Sequence, residues 1–145
     1  MRASAVCLII AMLCVGPGPA RAEDAASVSA ADHQAIEQVI TSQLDAFGRD
    51  ASDAAFNLAS PKIQTMFGDA ANFMAMVRQG YPPVYRPRSF AFEQLVTIDD
   101  HIVQRVMIVG PDGAPALALY TMEREQDGTW RIDGCALTKP DGLTT

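Results

Sequence analysis

The sequence predicts an α+β domain in which three to four N-terminal helices pack on a curved antiparallel sheet of about four strands. Three observations predict it. Apolar residues recur at helical spacing from Ile36 to Val77, with helix-capping residues between the stripes. From Ser89 onward the chain changes to β-branched and aromatic runs linked by Asp and Gly turns. The proline-rich stretch Tyr81-Pro82-Pro83-Val84-Tyr85-Arg86-Pro87 divides the two regimes.

Each element has its own signal. Ser29-Ala30-Ala31-Asp32 reads as a capping box, and Ile36, Val39, Ile40, Leu44 and Phe47 then form one apolar stripe ended by Gly48. A short helix fits Asp53 to Ala59. Ser60-Pro61 supplies an N-cap followed by proline at the first helical position, and Gly68 a C-cap. Asp69 opens a further helix carrying Phe73, Met76 and Val77, closed by Gly80. Residues 81–87 are expected to be extended, because their prolines remove backbone donors and fix φ. Strands are predicted over Ser89–Ile98, Ile102–Val109, Ala116–Glu123 and Thr129–Leu137. Their links, Asp99-Asp100, Pro111-Asp112-Gly113 and Gln126-Asp127-Gly128, are short turn sequences, so the strands form an antiparallel meander.

The start of the chain carries a different signal. Met1-Arg2 is basic, Val6 to Val15 is an apolar run, and Gly16-Pro17-Gly18-Pro19 breaks it before Ala20-Arg21-Ala22. This is the pattern of a cleavable signal peptide over residues 1–22, too short in its apolar part to span a bilayer. Residues 23–28 read as a flexible leader, 29–139 as a single domain and 140–145 as a frayed tail. The expected location is periplasmic or secreted. Removing residues 1–22 takes away Arg2 and Arg21 and no acid, leaving 9 basic and 17 acidic residues and a net charge of −8. Such a surface repels phosphate backbones and anionic lipid, so neither nucleic-acid nor membrane partners are expected. Cys7 and Cys14 would leave with the signal. Cys135 then stands alone in an apolar strand and is expected to be buried.

At the level of motifs the chain resembles an uncharacterised bacterial family, domain of unknown function 4864. The residues that carry the resemblance include Gln43-Leu44-Asp45-Ala46-Phe47, Ala55-Phe56, Ala59-Ser60-Pro61 and Phe73 with Met76-Val77. They continue through Tyr81 to Pro87, Gln104-Arg105-Val106, and Asp127-Gly128-Thr129-Trp130-Arg131-Ile132-Asp133-Gly134-Cys135. The order of elements is similar to the cone-shaped fold of nuclear transport factor two and the ketosteroid isomerases. That likeness implies a pocket between the helices and the concave face of a bent sheet. The family resemblance implies no activity.

Catalytic chemistry finds little support in the residues. Asp45 lies opposite the apolar stripe of its helix. Asp99, Asp100, Asp112, Asp127 and Asp133 sit at or beside turns, where aspartate is favoured locally. Glu93 alternates away from Phe90 and Phe92. His33 and His101 lack companions at metal-ligand spacing, and Met74 and Met76 point apart on their helix. No metal or cofactor is expected, and no catalytic residue is assigned.

Neutral polar residues on apolar faces give the better signal. Gln43 lies within the first helix's stripe, Gln94 shares strand alternation with Phe92 and Val96, and Gln104 shares it with Val106 and Ile108. Burying an unpaired amide costs about 1–3 kcal/mol. Each amide therefore either bonds nearby backbone or lines a common pocket, and convergence of the three is the expectation. Tyr81 and Tyr85 are placed at the rim. The chain is thus expected to bind a small apolar or weakly polar molecule, or a protein partner. An isomerase- or hydratase-like enzyme and a structural module with a filled interior are the alternatives. A homodimer through the outer face of the sheet is also expected, because Leu117 and Leu119 alternate against Ala118 and Tyr120 and leave both faces apolar.

Overall fold

The structure, a computed structural model, describes residues 28–140. The expected signal peptide, most of the leader and nearly all of the tail lie outside the described residues. Helix α1 spans Ala30–Gly48. Its start is fixed by a reciprocal pair: Asp32 N–H donates to Ser29 Oγ at 3.1 Å, and Ser29 N–H donates to Asp32 Oδ2 at 3.3 Å. Its buried face carries Ile36, Ile40, Leu44 and Phe47, the spacing read from the sequence, with Gln43 among them.

Three further helices follow: α2 (Ser52–Asn57), α3 (Pro61–Phe67) and α4 (Ala70–Gly80). Ser60 caps α3 by accepting from Ile63 N–H, and Asp69 caps α4 by accepting from Asn72 N–H at 2.8 Å. Gly68 leaves α3 at φ +80°, a conformation that costs glycine nothing. Phe73 of α4 knits the helices together. Its ring lies 6.1 Å from Phe47 of α1, 5.5 Å from Phe56 of α2 and 5.6 Å from Phe67 of α3.

The expectation of an extended segment over 81–87 is corrected at its centre. Pro82–Tyr85 forms a single helical turn, α5. Pro82 and Pro83 occupy its first two positions, whose N–H groups have no intrahelical partner anyway, so the prolines pre-set the turn rather than forbid it.

The sheet runs β1 (Ser89–Ile98), β2 (His101–Val109), β3 (Pro115–Arg124) and β4 (Trp130–Thr138). It is an antiparallel meander in the order β1-β2-β3-β4. Asp99 and Asp100 both have positive φ, 48° and 63°, the tight turn whose twist matches the strands it joins. Two irregularities break the ladder. Glu93 and Gln94 stand against Arg105 alone, and Asp133 is the extra residue where β4 pairs with Thr121 and Met122. Beyond the second bulge, β4 takes the segment at Ala59 as a parallel neighbour, with Ser60 N–H donating to Ile132 C=O at 2.8 Å.

The core forms where the helices cover one face of the sheet. Val106 and Ile108 of β2 and Ala118, Tyr120 and Met122 of β3 meet Ile36, Ile40 and Phe47 of α1 and Met74 and Val77 of α4. Burial of each large side chain contributes about 1.5–3 kcal/mol. Trp130 anchors the start of β4 in this core, its Nε1–H donating to Asp32 Oδ1 at 3.0 Å.

Candidate functional site

A cavity of about 440 Å³ opens between the helices and the β3–β4 end of the sheet. Its walls come from Phe47 of α1, Ile63 and Phe67 of α3, and Phe73 and Val77 of α4. Tyr120, Ile132 and Cys135 supply the sheet side. Helix α3 buries none of its own residues, and its Met66 is 63% exposed at the cavity's margin. Among the described residues, no acidic or basic side chain lines this space.

The polar groups in it are few and neutral. Gln43 is 3% exposed, and its Nε2–H donates to the Ala55 carbonyl at 3.2 Å. That bond fixes which end of the amide is nitrogen, so the Oε1 end is left without a donor among the described residues. Tyr120 is fully buried, and among the described residues its hydroxyl meets no nitrogen or oxygen partner, only the Cys135 thiol, a weak donor and weak acceptor. Cys135 faces Tyr120 as its register partner on β4. Burial pushes the Cys135 thiol up to about 12. Burial first, and Cys135 next, raise the Tyr120 hydroxyl well above the usual tyrosine range. Both groups therefore stay protonated and uncharged at neutral pH.

The residues singled out from the sequence divide between this cavity and other places. Gln43 and Tyr81 line it. Tyr85, Gln94 and Gln104 do not. Gln104 is buried on the core face, but its Nε2 donates to the carbonyls of Glu93 at 2.8 Å and Arg105 at 2.9 Å. It therefore satisfies backbone groups that the β1 bulge leaves out of the ladder. Gln94 belongs to that bulge and is exposed, since the extra residue takes it out of the strand's alternation. The three glutamines do not share one interior space.

Tyr85 lies outside, in a polar clamp. Its hydroxyl donates to Asp50 Oδ1, while Arg86 Nη2 lies 2.8 Å from Asp50 Oδ2 and Arg78 Nη2 3.2 Å from Oδ1. Arg86 also donates from Nη1 to the Gly48 carbonyl at 2.6 Å. The hydrogen bond from Tyr85, with that from Arg78, holds the Asp50 carboxyl below the usual carboxylate range. This clamp ties α5 to the end of α1 and so fixes one side of the cavity, where Val84 and Tyr81 line it.

Tyr120 is the residue that sequence reasoning missed. A signal was present: it is the polar-tipped aromatic that ends the otherwise apolar run Ala116 to Tyr120, on the same alternation as Ala118. Its surroundings were legible only from the register, which sets it between Gln104 of β2, whose amide nitrogen goes to backbone, and Cys135 of β4.

Comparison with known proteins yields a family and no activity. A solved structure from Burkholderia xenovorans LB400, described as an NTF-2 like protein of unknown function, shares 16% identity with this chain. The match covers 77% of this chain and 89% of that one, with a TM-score of 0.47. No curated protein matches the chain. The family model described as domain of unknown function (DUF4864) matches residues 29–145, the whole span from the cap of α1 onward, and the chain belongs to that family.

Proposed function

We propose that this is an exported domain that binds a small apolar or weakly polar molecule in the cavity between α1, α3, α4 and the sheet. The observation that carries the reading is the make-up of that space. A volume of about 440 Å³ is within the range of small-molecule sites. Its walls are apolar, and its few polar residues, Gln43, Tyr81, Tyr120 and Cys135, include no carboxylate, ammonium, guanidinium or imidazole. An acid–base enzyme would need a carboxylate or imidazole within reach of the bound molecule. The composition of the lining supports binding instead. Export is supported by the N-terminal pattern of basic start, short apolar run and Ala20-Arg21-Ala22.

Titration with the neutral apolar fluorophore N-phenylnaphthylamine tests the binding. A saturable rise in emission is expected, lost in an Ile63→Trp variant that fills the cavity from α3 while circular dichroism stays unchanged. Equal emission from both proteins would place the dye elsewhere and refute the reading.

A further inference from the structure

We infer that Met66 is an oxidation-sensitive gate of the cavity: a peroxide converts its thioether to a sulfoxide, and the oxidised mouth holds apolar molecules less tightly. The inference rests on the binding reading above and adds how that binding is regulated. Three sulfur-bearing residues line the space, Met66 on α3, Met76 on α4 and Cys135 on β4. They differ in how far an oxidant dissolved in water reaches them. Met66 is exposed, Met76 and Met107 are half-buried, and Met74 and Met122 are shut into the core. Among the described methionines Met66 is therefore the first that such an oxidant meets. Cys135 does not compete, because peroxide attacks the thiolate and burial keeps this thiol protonated.

The chemistry is an oxygen transfer. The Met66 sulfur gives two electrons to the O–O bond of hydrogen peroxide and takes one oxygen atom, and the other oxygen leaves with both protons as water. The product puts a polar S=O acceptor where a flexible apolar tip stood, beside Ile63 and Phe67 in the lining. In the free protein that oxygen stays in water. Ile63 and Phe67, not Met66, are the residues that α3 packs on the core, so the fold is indifferent to the change. An apolar molecule seated in the mouth covers the side chain, and the S=O then gives up water against walls that are mostly apolar. The cost falls on binding. Reduction of the sulfoxide restores the thioether, which makes the gate reversible.

Brief treatment of the purified protein with hydrogen peroxide, removed before measurement, tests both steps. Peptide mass spectrometry should find an added oxygen on Met66 ahead of the other methionines within residues 28–140. N-phenylnaphthylamine should then bind about 5-fold more weakly, the factor that burying one unpaired polar group sets at its low end. The thermal midpoint should not move. Met66→Leu, which has no sulfur at this position, should keep the affinity of its own untreated form. Met66→Gln should bind the dye weakly with no oxidant added. Oxygen first on another of these methionines, an affinity that survives oxidation of Met66, or an equal loss in treated Met66→Leu would each overturn the inference and leave cavity binding standing. A fall in the midpoint would overturn it too, by showing that the sulfur belongs to the core. If the untreated protein takes up no dye, the binding reading falls and the gate falls with it.

Discussion

Ser60 and Asp133, 73 residues apart, are joined by a 2.6 Å hydrogen bond from Ser60 Oγ to Asp133 Oδ1. The bond locks the start of α3 to the bulge of β4. Ser60 is fully buried, caps α3 through Ile63 N–H and pairs its own N–H with Ile132 C=O. Lys62 adds a 3.0 Å ion pair to the other carboxylate oxygen. Helix α3 has no fully buried residue, only the partly buried Ile63 and Phe67 against the core, so this anchor and Gly68 at its far end help to set how it sits over the cavity.

Ser60→Ala should therefore cost about 1–2 kcal/mol, the sum of a lost cap and of a part-buried carboxylate oxygen that loses its hydroxyl donor while Lys62 keeps the other oxygen. The cost has a pH signature. Burial alone would raise the Asp133 pKa, but hydrogen bonds from Ser60 and Lys62 outweigh it and hold the carboxyl below its ordinary 3.8. A depressed carboxylate stabilises the fold above its unfolded pKa and loses that contribution as pH falls through the folded value. Urea unfolding should thus show a wild-type advantage at neutral pH that narrows below about pH 4. A gap that stays constant down to that range would mean the serine acts only as a cap.

Gln104→Leu should be destabilising by about 1 kcal/mol, because it takes the amide donor from two part-buried carbonyls. A neutral or stabilising result in chemical unfolding would show that the amide is dispensable to the β1 bulge.

That bulge also marks how far the sequence could be read. Helix order, caps and the meander follow from local chemistry: Ser29 with Asp32, Ser60-Pro61, and the paired aspartates at 99 and 100. Gln43 lines the cavity because helical spacing carries no insertions along α1. Gln94 did not, because one extra residue in a strand reverses which side the following residues face, and Glu93-Gln94 contains no glycine or proline to announce it. Tyr85 was drawn outward by Asp50, Arg78 and Arg86, partners brought together by the tertiary fold and invisible in sequence spacing.

Alkaline pH should weaken the fold through the Cys135–Tyr120 pair. The folded thiol is raised from 9.0 to about 12, so unfolding releases a proton once pH exceeds the unfolded value. The contribution is intact below 9.0 and is lost as pH rises from there toward 12. Between about pH 8 and about pH 10.5 the urea midpoint should fall, and Cys135→Ala should fall less. Identical slopes for both proteins would show that the thiol does not titrate differently on folding. The same shift lowers the thiolate population about a thousandfold at neutral pH, so iodoacetamide should label the native protein far more slowly than the unfolded one.

The mature protein should begin at Glu23. Ala20-Arg21-Ala22 supplies small residues at the two positions that signal peptidase reads. Intact mass of the chain recovered from the exported fraction measures this directly, and a product retaining Met1 on the membrane would contradict it.

The outer face of the sheet should pair with a second copy of the chain. Strand alternation sends Ala118, Tyr120 and Met122 to the helices, which leaves Leu117 and Leu119 on the opposite side. Leu117 stands beside Met107 in the register, and Leu119 lies between Arg105 and Ala136. Val103 extends the same face on β2, but it and Leu117 are already buried within the single chain, so the part-exposed Met107 and Leu119 are what a second copy would cover. A sheet with one solvated face ordinarily alternates polar against apolar, and these strands instead carry apolar residues on both sides. Covering the second face by symmetry needs no other partner, because one patch that is its own complement closes a two-fold dimer. Sedimentation over a concentration series should show reversible dimerisation, and Met107→Glu, which puts a charge into the patch, should shift it to monomer without loss of fold. A wild-type chain that stays monomeric into the high micromolar range would sink the prediction, and so would a dimer indifferent to the charge at residue 107.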